Sequence, residues 1–445
     1  MLIGAIADDF TGATDLGNMF VQGGLRTLLL LGVPAKDVEL AGYDAVIIAL
    51  KSRSIPAAKA VAQSVEALRW LQAKGAQRYY FKYCSTFDST PQGNIGPVTD
   101  ALLDALDEDF TVVVPAYPKY RRTVFQGHLF VGDLRLDESP LRHHPLNAMT
   151  DSSLIRLMEA QSKGKAGLAP FAAVHAGAKP LRKALDALRT QGKRYAVIDT
   201  VLDDDLHAIA EACAGMRLLT GGSGLALGMA MCTAQAPAEL TTGKTMTGVQ
   251  PSTSAALRPI FLYGKGMKAR TGPGRKAVLS GSCSQATLAQ IAFARKSMPH
   301  YAIDPADLAA GKDVVSSVLA WATPLLSSSP VLIYSSADPA IVSSVQSTIG
   351  GHASEIIEQA IAAIACKLVE AGVETLVVAG GETSGAVVQG LNISALKIGA
   401  EIDPGVPWVY TTGERPLALA LKSGNFGAED FFLKCTSRRA VAMPL

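Results

Sequence analysis

Short apolar runs recur along the chain, each bounded by polar or glycine-containing residues and most followed by apolar positions at helical spacing. In the first half the runs lie at 2–7, 27–31, 45–50, 79–83, 111–115, 195–198 and 217–219. In the second half they lie at 277–279, 331–334, 375–378 and 408–410, with a long helical pattern over 353–371. Strand alternating with helix predicts an α/β fold with mostly parallel sheets covered by helices. Between 231 and 276 the pattern lapses into Ala, Pro, Thr, Ser and Gly, and Lys244, Lys265, Lys268, Arg270, Arg275 and Lys276 stand there without apolar periodicity. The reading is two α/β domains, 1–233 and 276–445, joined by a linker or mobile loop over 234–275. No short fixed period appears, which excludes a solenoid.

Length agrees with two domains, because 445 residues exceed one typical core and an apolar share of 49% can fill two. A net charge of +2, with Lys and Arg spread along the chain, gives no nucleic-acid-binding face. The six cysteines form no CxxC pair, so neither a disulfide framework nor a structural zinc site is expected. The histidines show no HxH or HExxH, and no histidine-ligated metal centre is expected; a divalent cation held by carboxylates and phosphates stays open. No apolar run reaches the ~18 residues of a membrane helix, so a cytoplasmic protein without membrane contact is expected.

Ligands of open α/β sheets sit beyond the carboxyl ends of strands, and four sets of strand-end residues stand out. The first is Ala5 to Asp15, AIADDFTGATD, where two adjacent carboxylates precede a helix. Asp8 and Asp9 point to opposite sides of an extended backbone, so one can accept a proton while the other caps the helix or holds a cation. In the second, Lys51 and Arg53 are one residue apart, and an extended backbone would aim both at a substrate carboxylate. The third, Phe81 to Gly96, crowds Lys82, Ser85 and Asp88 with other short polar side chains, which suits a polyhydroxylated acid. The fourth set is LSGSCS (279–284), VAGGETSG (378–385) and KSGNFG (422–427), whose glycine turns present backbone N–H groups to phosphate. Three such turns in one domain point to a nucleotide.

Each feature has a plainer reading as a helix cap, a solvated pair or an ordinary tight turn. Gly243-Lys244-Thr245 ends like a Walker A loop but lacks the earlier glycine, where Ala238 stands. Gly222 to Gly228 has one residue too many for a dinucleotide fingerprint and reads as a close strand-to-helix turn at the cleft. Cys84 and Cys283 lie in polar loops without a histidine partner, against nucleophilic catalysis.

Six motifs in order, ADDFTGA (7–13), the loop 82–96, LTGGSGL (219–225), LSGSCS, AGGETS (379–384) and KSGNFG, resemble the four-carbon acid sugar kinase family over nearly the whole chain. FKYCSTFDSTPQGNIGPVTDALL and PAYPKYRRTVFQGHLFVGDLRLDESP are similar to its 3-oxo-tetronate kinase branch; the threonate and erythronate kinases are expected to carry a shorter form of the first. The resemblance implies transfer of the ATP γ-phosphoryl, with Mg²⁺ carried by the nucleotide, to the C4 hydroxyl of 3-oxo-tetronate. It implies a sugar-acid-binding N-terminal domain, a nucleotide-binding C-terminal domain and an active site in the cleft between them. Ser280, Gly380, Gly381, Glu382, Thr383 and Gly424 would contact ATP. Asp8 and Asp9 are the candidate catalytic residues, and Lys51, Arg53, Lys82, Ser85 and Asp88 the candidate substrate ligands. A D-threonate or D-erythronate 4-kinase, a nicotinamide-dependent oxidoreductase and a non-catalytic sensor are the rival readings; oligomerisation is left open.

Overall fold

The computed structural model describes residues 2–35, 37–143, 147–234, 274–335, 353–413 and 416–437. Most of the expected linker, with Gly243-Lys244-Thr245, lies outside the described residues. Eleven strands belong to the first half: β1 (Ile3–Ala7), β2 (Thr27–Leu31), β3 (Ala45–Ala49), β4 (Arg78–Lys82), β5 (Thr111–Val114), β6 (Arg122–Phe125), β7 (His128–Val131), β8 (Leu134–Arg135), β9 (Ala166–Ala169), β10 (Tyr195–Ile198) and β11 (Leu218–Gly221). Seven follow: β12 (Arg275–Ser280), β13 (His300–Ala302), β14 (Val331–Tyr334), β15 (Val373–Ala379), β16 (Ala395–Asp403), β17 (Val406–Thr411) and β18 (Ala418–Lys422).

The class is α/β, and the main sheet is mostly parallel. Strands β1 and β3 are buried along their whole length, as strands covered by helices on both faces must be. The two halves are not separate sheets. One 15-stranded sheet runs β13-β14-β12-β15-β18-β17-β16-β2-β3-β1-β4-β11-β5-β10-β9. Its two parallel blocks join through three antiparallel pairings, β18 to β17, β17 to β16, and β16 to β2. Lys397, Gly399 and Glu401 interrupt the apolar run of β16, so this strand was missing from the sequence reading; its register with Leu28–Leu30 was equally hidden. A small antiparallel sheet β6-β7-β8 was also missed, because half-exposed strands of two to four residues leave little apolar pattern.

The helix Phe10–Gln22 is buried on nearly every side. A Cβ on Gly17 would come within 2.8 Å of Ile398 Cγ1 on β16, and one on Gly23 within 2.3 Å of Ala230 Cβ on the helix Ser223–Ala234. Small residues thus let this helix lie close to both halves, which places its first turns beside the second parallel block. Among the described residues no helix is long and apolar enough to cross a membrane.

Candidate active site

Strand β1 ends at Ala7, and Asp9 continues in extended backbone before capping the helix Phe10–Gln22. Its Oδ1 accepts the Gly12 N–H at 3.0 Å and its Oδ2 the Thr11 hydroxyl at 2.9 Å. Asp8 points elsewhere. Arg53 donates from Nε to Asp8 Oδ2 at 2.8 Å and from Nη2 to Oδ1 at 2.7 Å, and Nη2 also reaches Asp9 Oδ1 at 2.8 Å. Burial works against the Arg53 charge, but Asp8 and Asp9 outweigh it and push its pKa up. Burial likewise raises Asp9, but Arg53, Lys82, Thr11 and the Gly12 amide prevail and hold its carboxyl below the usual value. Burial pushes Asp8 up in spite of Arg53, yet both its oxygens are committed to the guanidinium.

Lys82, at the end of β4, is buried. Glycine is required opposite it, since a Cβ on Gly12 would lie 2.5 Å from Lys82 Nζ and 2.2 Å from Asp9 Oδ1. These groups line a pocket of about 480 Å³ including its open mouth, with Asp9, Thr11, Gly12, Asp15, Arg53, Lys82, Cys84, Ser85 and Ser223 on one side. Gly405, Leu421, Ser423 and Phe426, from the second half of the chain, complete its lining. Asp15 is 8% exposed, and neither its Oδ1 nor the buried Ser223 hydroxyl makes a hydrogen bond. Burial, against the pull of Lys82 and Ser223, pushes the Asp15 carboxyl up to about 6.

Beyond Ser423 the three glycine turns converge at the ends of β12, β15 and β18, which are neighbours in the sheet. Ser284 caps the helix Gln285–Ala294 with its own side chain, and its hydroxyl donates to the Gly424 carbonyl at 2.6 Å. The helix Gly381–Gly390 differs: Gly380 precedes it at φ 120° and supplies no side-chain cap. Ser384 is the first residue to donate back to Gly380, so the N–H groups of Gly381, Glu382 and Thr383 have no acceptor within the helix. Close approach is built in, because a Cβ on Gly281 would meet Thr383 Oγ1 at 2.4 Å and one on Gly424 would meet Ser282 Oγ at 2.8 Å. Lys422, fully buried, donates from Nζ to Thr287 Oγ1 at 3.0 Å and to the carbonyls of Ser423 and Gly424 at 3.0 and 2.9 Å.

Asp9, Arg53, Lys82 and Ser85 therefore share one pocket, with Asp8 behind Arg53. Ser280, Gly380, Gly381, Glu382, Thr383 and Gly424 gather in the adjoining turns. Lys51 does not point with Arg53; it leaves the pocket and meets Glu382 at 2.6 Å. The chain bends in turn conformation at Arg53 and Ser54, so the alternation of an extended segment does not apply. Asp88 is absent from the pocket wall; its carbonyl accepts from Asn147 Nδ2 at 3.5 Å. Sequence reading passed over Thr11, Gly12 and Asp15, whose helical spacing within the first motif was the available signal. Phe426 lay within the KSGNFG motif without being singled out; for Gly405 and Leu421, set on or beside distant strands, no local signal existed.

Two family models match in succession: a sugar-binding N-terminal domain over residues 3–229 and a nucleotide-binding C-terminal domain over 277–432. A pocket bounded by an ionic strand end on one side and phosphate-type glycine turns on the other agrees with that pairing, and the chain belongs to the four-carbon acid sugar kinase family. Among curated relatives it is 49% identical to the 3-oxo-tetronate kinase of Burkholderia multivorans, across 97% of this chain and 96% of that one. It is 48% identical to the 3-oxo-tetronate kinase of Cupriavidus necator, across 97% and 95%. Among solved structures, a protein of Salmonella typhimurium LT2 matches with a TM-score of 0.82 at 42% identity, covering 98% of both chains. Haemophilus influenzae protein HI1011 matches with a TM-score of 0.73 at 42% identity, covering 97% of this chain and 98% of that one.

Proposed function

We propose that this chain transfers the γ-phosphoryl group of ATP to the C4 hydroxyl of 3-oxo-tetronate, giving 3-oxo-tetronate 4-phosphate and ADP. The observation that carries the reading is the junction of the two sites: the pocket lined by Arg53, Lys82 and Ser85 is closed by Ser423, next to Gly424 of the glycine turns. A sugar acid in the pocket would offer its carboxylate and hydroxyls to those cations and polar groups. Its reacting end would face the turns.

The first half, to about residue 233, is assigned to the sugar acid and the second, from about 276, to the nucleotide. The uncapped start of the helix Gly381–Gly390 supplies N–H donors and the positive end of a helix dipole to the ATP phosphates. Thr383 and Ser280 stand beside it, and Gly424 lets the facing turn approach. Mg²⁺ carried with the nucleotide would neutralise charge between the β- and γ-phosphates. Asp8 and Asp9 fix Arg53 against the substrate, and Asp9 also shows an edge to the pocket. Phosphoryl transfer needs alignment and charge stabilisation above all, which buried, mutually fixed groups provide. Lys51 ties the strand end to the nucleotide helix through Glu382. The nicotinamide alternative is not favoured.

The test is ADP release by the purified chain with Mg·ATP and a panel of 3-oxo-tetronates, threonate and erythronate, beside a blank without acid. Turnover confined to the 3-oxo acids is expected. Preference for threonate or erythronate would move the chain to another branch, and release independent of any acid would defeat the reading.

A further inference from the structure

We infer that Asp15 is a catalytic residue of this pocket, accepting the proton of the attacking hydroxyl, with Ser223 and Lys82 on the same wall. The inference rests on the kinase reading above and adds the proton acceptor to it.

The acceptor must be a carboxylate that faces the pocket and has a free oxygen. Asp9 and Asp15 are the two carboxylates on the wall. Asp9 is spent: its two oxygens accept from Gly12, Arg53 and Thr11. Asp8 lies behind Arg53, with both oxygens engaged. Asp15 is more than nine-tenths buried, and its Oδ1 makes no hydrogen bond of normal geometry; its polar neighbour on the same wall, the buried Ser223 hydroxyl, lies near enough to favour the anion without completing it. A buried carboxylate oxygen left without a well-placed donor is costly unless a ligand completes it. Helical spacing sets Thr11 and Asp15 on one face of their helix, and both line the same pocket as Leu421 and Ser423. A hydroxyl between Asp15 and the turn at Gly424 would thus have a proton acceptor on one side and the nucleotide on the other.

Charge around Asp15 suits the task. Lys82 favours its anion, and Asp9 and Glu401 oppose it. Arg53 offsets Asp8 and Asp9, while Glu401 is occupied by Asn18 and the Gly405 amide. Tyr80, Tyr117 and Tyr120 pack nearby, raised by burial and by Asp15 itself, and stay neutral. A carboxyl near 6 is ionised at neutral pH and still basic enough to take a proton. In the step, the hydroxyl oxygen forms its bond to the γ-phosphorus as its proton passes to Asp15. The bond to the bridging oxygen breaks, its electron pair leaves on ADP, and Asp15 later releases the proton to water.

Asp15→Asn keeps the shape and removes the proton acceptor. Its kcat should fall by about 10²- to 10⁴-fold, while ATP binding, read by titration calorimetry, stays unchanged as the check on folding. Below pH 6 wild-type kcat should drop about tenfold per pH unit, and the residual rate of the variant should lack that limb. An Asn variant that retains wild-type kcat, or a wild-type profile flat down to pH 5, overturns the role of Asp15 while leaving a working kinase. A wild-type chain that phosphorylates no acid of the panel overturns the kinase reading and Asp15's role with it.

Discussion

Lys51 Nζ lies 2.6 Å from Glu382 Oε2, an ion pair between the end of β3 and the first turn of the helix Gly381–Gly390. Both side chains are about half exposed, 46% and 55%, so screening leaves the pair worth less than about 1 kcal/mol in stability. Its value is positional. Lys51→Met should leave the unfolding midpoint nearly unchanged and raise KM for ATP more than KM for the sugar acid. A double-mutant cycle with Glu382→Gln, read by urea unfolding, should give a coupling under about 1 kcal/mol.

Arg53 is different in kind, because its side chain is largely withdrawn from solvent, 20% exposed, between Asp8 and Asp9. Arg53→Met leaves the buried Asp8 carboxylate without its cation, while Asp9 keeps Thr11, Gly12 and Lys82, and a loss of about 3 kcal/mol at pH 7 is expected in urea unfolding. The loss should shrink as the pH falls toward 4, where the orphaned carboxylate protonates. Arg53→Lys should not restore the wild type, since one ammonium cannot reproduce the bidentate contact.

The glycines of the nucleotide turns are not equivalent. Gly380 sits at φ 120° with Thr383 Oγ1 at 2.8 Å from an added Cβ, whereas a Cβ on Gly381 meets nothing nearer than Thr11 Oγ1 at 3.8 Å. Gly380→Ala should weaken ATP binding by roughly tenfold or more, given backbone strain of order 1–3 kcal/mol, and Gly424→Ala should weaken it less, because an added Cβ comes closest to the Ser282 hydroxyl, at 2.8 Å. Gly381→Ala should bind ATP nearly as the wild type does. Titration calorimetry separates the three.

Asp15 predicts a pH dependence of stability. Its folded pKa of about 6 exceeds that of an exposed aspartate, near 3.9, so the folded state binds the proton more tightly. Stability from this group is complete below about pH 4 and is lost as pH rises through about 6, by roughly 3 kcal/mol. Asp15→Asn should therefore be more stable than the wild type at pH 7.5 and lose that advantage at pH 4, in parallel unfolding curves.

Lys422 has the opposite chemistry. Burial lowers its pKa to about 7, against about 10.4 in an unfolded chain, and its acceptors are a hydroxyl and two carbonyls. The unfolded chain binds its proton more tightly, so wild-type stability should rise between pH 7 and 10 relative to Lys422→Met. Unfolding midpoints of the two proteins across that range test it.

The sequence by itself determined the α/β class, the main strands and the strand ends where chemistry collects. A fully buried parallel strand such as Ile3–Ala7 must be apolar throughout, and a turn that admits phosphate must be glycine-rich. These demands are local, so the positions of Asp8, Arg53, Lys82, Gly380 and Gly424 at strand ends were legible. Only the tertiary structure decided how the pieces meet. Pairing of Ala395–Lys397 with Leu28–Leu30 joins two blocks into one sheet, and a register between segments so far apart leaves no local trace. That sheet, with the helix Phe10–Gln22 wedged against both halves, brings Asp15 and Ser423 to one pocket. It also turns Lys51 toward Glu382 and gives Arg53 to Asp8 and Asp9. Which charges pair and which stay free depends on distances between distant segments, and folding alone sets those.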